Sequence, residues 1–227
     1  MLNFFENSWL AVLLAAVCGY LLGSINWAII ITHTIFRKDI RTEGSGNAGA
    51  TNVLRNHGRG PAILTTIGDI AKSMVAVVIG GLLLANLQLD APSGSNLWIQ
   101  ENLPLVGGYI GGFFCLLGHD FPVFYGFRGG KGVLTTLGMF LLLDWRVALA
   151  CLGIFIVIVA ISRMVSLGSM LAIACGPILL YFIADTPEKA VFCAVSAGLV
   201  WLLIVWQHRA NIGRIVAGTE NKLGQKK

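Results

Sequence analysis

Long apolar runs recur along almost the whole chain, and they restrict the fold more than any other feature of the sequence. Runs of roughly 17–25 residues with few charges match the length a helix needs to cross a bilayer. Only 12% of the residues are charged and the mean hydropathy is +0.78, whereas a soluble domain carries about 25% charged residues. The expected fold is therefore all-α, a polytopic integral membrane protein forming one membrane domain over residues 1–227, with helix packed on helix as its core.

The spans follow from the runs. Span 1 is expected at roughly Trp9 to Ile31. Met1 to Ser8 has Glu6 but no Lys or Arg, and the run behind it is too long for a signal peptide, so an uncleaved first span is expected. Span 2 runs from Pro61, a residue suited to a first turn, to about Ala85. Asn86 to Asn102 is predicted as a loop broken at Pro92-Ser93-Gly94-Ser95. Span 3, about Leu103 to Leu117, carries Gly107-Gly108 and Gly111-Gly112, a four-residue spacing suited to close helix contact. Val133 to Leu143 is half a usual span and is interrupted by Asp144-Trp145-Arg146; Val147–Ile161, Leu167–Ala184 and Ala190–Trp206 follow.

Charge sets the count. If the polar segments around Arg55 and Lys131 and the C-terminal tail all face the cytoplasm, every basic residue except Lys72, Arg146 and Lys189 lies inside. The outer loops then collect Glu6, Asp90, Glu101, Asp144, Asp185 and Glu188, as the positive-inside rule requires. This needs Val133–Leu143 to cross or nearly cross, and gives seven transmembrane helices with the N-terminus outside and the C-terminus in the cytoplasm. Asp69 and Lys72, three apart within span 2, are expected to form an ion pair that holds the helix near the inner loop. Cys18, Cys115, Cys151, Cys175 and Cys193 all fall in apolar runs without metal spacing and read as packed thiols.

Three polar segments stand out against this background, near 44–55, 118–132 and 208–220. The first holds Gly44, Gly46 and Gly49, which let backbone amides converge on an anion. Ser45, Asn47, Thr51 and Asn52 add neutral hydrogen-bonding groups, and Arg55 adds a planar fork suited to phosphate. The second centres on Gly129-Gly130-Lys131-Gly132, which lacks the spacing of a Walker loop. The third holds His208, Asn211 and Arg214; if the last helix continues, His208 and Asn211 share a face. Fixed positive charge, neutral donors and one group titrating near neutrality suit a phosphorylated, anionic small substrate at the cytoplasmic membrane surface.

At these residues the sequence resembles a known family. Gly-Ser-Gly-Asn-Ala-Gly-Ala-Thr-Asn-Val-Leu-Arg (44–55), Gly-His-Asp-Phe-Pro-Val-Phe-Tyr-Gly-Phe-Arg-Gly-Gly-Lys-Gly (118–132) and His-Arg-Ala-Asn-Ile-Gly-Arg (208–214), continued by Ala-Gly-Thr-Glu (217–220), are similar to the three motifs of the bacterial acyl-phosphate:glycerol-3-phosphate acyltransferases. The resemblance implies a seven-helix inner-membrane enzyme with cytoplasmic motifs. Such an enzyme moves a fatty acyl group from acyl phosphate to the 1-position hydroxyl of glycerol 3-phosphate and releases lysophosphatidic acid. It also implies no metal, no cofactor and no nucleic-acid partner, only the two substrates and membrane lipid. Carried over by position, Ser45, Arg55, Lys131, His208 and Asn211 are the catalytic candidates. Gly44, Gly46, Asn47, Gly49, Thr51, Asn52, Gly129, Gly130, Gly132 and Arg214 are the substrate-binding ones, and Glu220 supports local structure. The sequence departs from the family at Ala48, where proline is common, at Ala210, where an acidic residue is frequent, and at Asp120, where an apolar residue is usual.

The chemistry agrees with these residues. Acyl phosphate is an activated donor, so the enzyme must bring two anions together and orient one hydroxyl. Arg55 and Lys131 offset the repulsion, and loop amides with Ser45 or Asn211 polarise the developing oxyanion. There is no Ser-His-Asp set and no His-x4-Asp motif, so a covalent acyl-enzyme is not expected. The proton acceptor is either His208 or a phosphate oxygen of the donor. The competing reading, a small-anion or phosphate-ester transporter, calls for polar groups near the midplane; a structural membrane subunit gives no reason for three polar glycine-bearing loops on one side.

Overall fold

The structure, a computed structural model, describes residues 2–87 and 97–224, with side chains from Trp9 onward and, after the break, from Trp98. Its secondary structure among these residues is helical throughout, and five segments are long and apolar enough to cross a membrane: Trp9–Phe36, Arg59–Asn86, Trp145–Ser162, Val165–Ile183 and Pro187–Gln207. The chain divides into two compact units, Met1–Leu143 and Asp144–Lys227.

The first unit is built from α1 (Leu2–Ser24), α2 (Trp27–Phe36), α3 (Ala50–His57), α4 (Arg59–Asn86), α5 (Leu97–Glu101), α6 (Leu103–Asp120) and α7 (Val133–Leu143). Helices α1, α4 and α6 pack against one another through glycines, as their spacing predicts. A Cβ at Gly111 would lie 2.2 Å from Ala76 O, one at Gly80 2.2 Å from Gly107 O, and one at Gly19 2.4 Å from Gly111 O. Small residues let the backbones approach this closely, which is how helices gain packing energy where lipid is as apolar as the side chains.

Three boundaries differ from the sequence reading. Span 1 is two helices, because Asn26 interrupts it: its Oδ1 accepts the Ile29 amide and caps α2. The polar segment around Arg55 is partly helical, since α2 runs on to Phe36 and the second half of the first motif coils into α3. In the predicted loop Asn86–Asn102, residues 97–101 form α5, while Pro92-Ser93-Gly94-Ser95 lies outside the described residues.

The second unit comprises α8 (Trp145–Ser162), α9 (Val165–Ile183), α10 (Pro187–Gln207) and α11 (Arg209–Val216). Asp144 caps α8 by accepting from the amides of Arg146 and Val147. Helix α9 packs against α8 and α10, and the Trp201 indole donates to Met170 O at 3.2 Å. The chain turns at His208 before α11, so the last span does not continue into the third motif as one helix. The cysteines are free thiols; Cys115, Cys151 and Cys193 are buried.

Candidate active site

The first motif is a turn followed by a helix. Gly44 and Gly46 have φ of +57° and +72°, the left-handed region that favours glycine. Ser45 is exposed at the tip, Ala48 is fully buried, and Arg55 projects from the last turn of α3 with high exposure. The organiser is Asn52, 1% exposed. Its Oδ1 accepts from the Ser45 amide (3.0 Å) and from Asn56 Nδ2 (3.0 Å), while its Nδ2 reaches Ile40 O, Glu43 O and Asn47 O at 3.0–3.1 Å. The Asn52 side chain is thus spent on shaping the loop. The amides of Ser45, Gly46 and Gly49 also have internal acceptors. The amides of Ala50 and Thr51, in the first turn of α3, have no acceptor within their helix.

The second motif lies against the first. The Ala48 amide donates to Gly129 O at 3.4 Å, a bond a proline at 48 could not make. Arg41 donates to Tyr125 O (2.6 Å) and Arg128 O (3.3 Å) while its guanidinium grips Asp39; that hydrogen bond holds the Asp39 carboxyl below its ordinary value. Gly129 and Gly130 donate to Asp120 O and His119 O. A Cβ at Gly129 would lie 2.0 Å from His119 O, and one at Gly130 2.0 Å from His119 Nε2. Gly129 and Gly130 are required for this close approach to His119. Lys131 and Gly132 (φ +70°) lead directly into α7.

The third motif is held by Glu220. Its Oε1 accepts from Ser166 Oγ and Asn211 Nδ2, both at 2.7 Å, and its Oε2 from Arg214 Nε at 2.8 Å. Burial resists the charge, but the bonds from Ser166, Asn211 and Arg214 outweigh it and leave the carboxyl below its ordinary value. His208 is buried, with Nδ1 2.7 Å from Ile204 O. A carbonyl can only accept, so Nδ1 carries a proton. Arg209 stacks over Trp206. Ala210 is exposed, so the missing acidic residue there leaves the motif's internal bonds untouched. Ser166 was not singled out in the sequence; its only signal is a serine two residues after Met164, the N-cap of α9.

These features define an all-helical membrane protein whose polar turns carry arginine, lysine, histidine and amide groups. The sequence matches the glycerol-3-phosphate acyltransferase family over residues 13–218. It is 39% identical over 215 residues to a glycerol-3-phosphate acyltransferase of Clostridioides difficile, covering 95% of this chain and 97% of that one. It is 42% identical over 212 residues to one of Shouchella clausii, covering 92% and 94%. The fold is similar to crystal structures of PlsY (YgiH), an integral membrane glycerol 3-phosphate acyltransferase. The glycerol 3-phosphate form superposes with a TM-score of 0.76 at 32% identity, covering 94% of this chain and 96% of that chain. The form described as containing lysophosphatidic acid gives 0.74 at 31%, covering 94% and 95%. The chain belongs to the glycerol-3-phosphate acyltransferase family and is an acyltransferase.

Proposed function

We propose that this protein transfers a fatty acyl group from acyl phosphate to the 1-position hydroxyl of glycerol 3-phosphate, yielding lysophosphatidic acid and inorganic phosphate. The observation that carries the reading is the shape of the first motif: Asn52 holds the turn from within, so Ser45 stands exposed at its tip and Arg55 exposed on the helix that follows. Arg55 and Lys131 offset the repulsion of the two anionic substrates. Ser45, Thr51 and the first amides of α3 offer hydrogen bonds to phosphate or to the developing oxyanion. Asn211 is oriented by Glu220, and His208, its Nδ1–H given to Ile204 O, serves as base or positions the substrate.

The protein is read as crossing the bacterial inner membrane seven times, N-terminus outside, with its motifs on the cytoplasmic side. Helix α7, at 11 residues, rises about 16 Å, roughly half the hydrocarbon core. Single-cysteine labelling in intact cells, in a background without the native cysteines, tests the sidedness: positions 45, 131 and 208 should resist an impermeant reagent.

The activity test supplies purified protein with palmitoyl phosphate and labelled glycerol 3-phosphate. Labelled lysophosphatidic acid is expected. Uptake of label into vesicles without a lipid product would support the transporter reading instead.

A further inference from the structure

A buried polar ring runs through the first unit. Between α1 and α2 the chain breaks at Ile25-Asn26. The Lys72 ammonium of α4 donates to two carbonyls at that break, Gly23 O at 3.0 Å and Ile25 O at 2.9 Å. It also lies 2.9 Å from Asp69 Oδ1 and 2.9 Å from His119 Nδ1. An ammonium only donates, so Nδ1 of His119 accepts and the ring is neutral; its 3.5 Å approach to Asp69 Oδ1 is then not an ion pair. From His119 the ring reaches the second motif, because the His119 carbonyl accepts the Gly130 amide at 3.0 Å. The second motif meets the first where Ala48 N–H donates to Gly129 O. The first returns to the helix break through Asn26 Nδ2 and Ala48 O, 3.4 Å apart. Asn26, Asp69, Lys72 and His119 are all at most 6% exposed.

A buried ion pair is a weak source of stability, since apolar residues of the same volume often do as well, and charges inside a membrane protein are costly. This pair does what apolar residues cannot: it binds the open carbonyls of a helix break and orients the histidine that carries the second motif. We infer that Asp69, Lys72 and His119 are positioning residues of the acyltransferase, setting the Gly129–Gly130 backbone, and with it Lys131, against the first motif. The assignment rests on the proposed acylation of glycerol 3-phosphate, with Lys131 on that substrate.

The test uses the full-length protein in detergent. His119→Leu keeps the volume but removes the acceptor for Lys72. His119→Gln keeps an acceptor. Asp69→Asn/Lys72→Met removes both charges together, leaving no unpaired one. The Michaelis constant for glycerol 3-phosphate should rise about tenfold in His119→Leu and in the double variant, and stay within about threefold of wild type in His119→Gln. That for acyl phosphate should change little. Amide hydrogen exchange, followed by mass spectrometry, should speed up in residues 126–132 in His119→Leu and the double variant, with the other helices unchanged. Wild-type exchange there, or a lower melting temperature without any change in the Michaelis constant, would overturn the inference. If the wild type forms no lysophosphatidic acid, the acylation reading falls, and the exchange measurement still decides whether the cluster sets the second motif.

Discussion

Motif one turns around an amide, and motif three around a carboxylate. Asn52 uses both ends of its neutral side chain, accepting from Ser45 N and reaching three carbonyls. Glu220 only accepts, and everything it gathers is a donor: Ser166, Asn211 and Arg214. The difference follows from what each must hold. A turn of exposed backbone presents both amides and carbonyls, so its organiser must donate and accept. The third motif brings side-chain donors of α11 together with Ser166 of α9, so one anion suffices. An amide latch does not titrate; a carboxylate latch does. The first unit adds a second device, glycines that let the two motifs touch.

The largest effect is expected where that contact is closest. Gly130→Ala drives a methyl group onto His119 Nε2 and to 2.8 Å from Ala48 O. Turnover should fall at least about hundredfold, or about 2.7 kcal/mol. Near-normal activity would mean that the two motifs need not touch.

The comparison of latches is tested next. Asn52→Asp keeps the shape and an acceptor but loses the donor to Ile40 O, Glu43 O and Asn47 O and buries a charge. Buried groups left unpaired cost about 1–3 kcal/mol each, so activity should drop by roughly tenfold to hundredfold. Glu220→Gln keeps one acceptor and gives up the Arg214 ion pair, so its loss at neutral pH should be only a few-fold. Equal losses in the two variants would erase the distinction.

Arg55→Lys probes a group that neither latch holds. Lysine keeps the charge and loses the two-pronged geometry that matches phosphate oxygens, so kcat/KM should fall beyond about tenfold, or about 1.4 kcal/mol. Normal kinetics would make Arg55 a surface anchor.

The smallest effect separates the latches by pH. The folded Glu220 carboxyl titrates below its ordinary value of 4.5. Its contribution to stability is complete above that value and disappears as pH falls through the lowered one. The melting temperature should drop on acidification by an amount on the order of a few degrees. Glu220→Gln should lack this component of the drop, and Asn52→Ala should retain it. An unchanged acid limb in Glu220→Gln would show that the third motif is not held by charge.

Much of this was legible in one dimension, and the misses have one cause. The ends of α4, α8, α9 and α10 lie within a few residues of the predicted runs, because apolar length is read directly from sequence. The break at Asn26 was missed because a lone asparagine in an apolar run shows its capping role only when its neighbours are known. The glycines of the second motif are visible in the sequence, but the histidine that Gly130 admits is not. A glycine that frees an amide for an anion and a glycine that admits a histidine look identical in a sequence.

By itself the sequence determined an all-helical, membrane-crossing class, three polar motifs and the family to which they belong. Run length, charge bias and motif spacing are properties of the chain in order. Only the tertiary structure decided which polar groups are consumed inside the protein and which stand exposed. Hydrogen-bond satisfaction depends on partners distant along the chain, and those partners become neighbours only after the helices pack. Lys72 meets Gly23, His119 meets Gly130, and Ala48 meets Gly129.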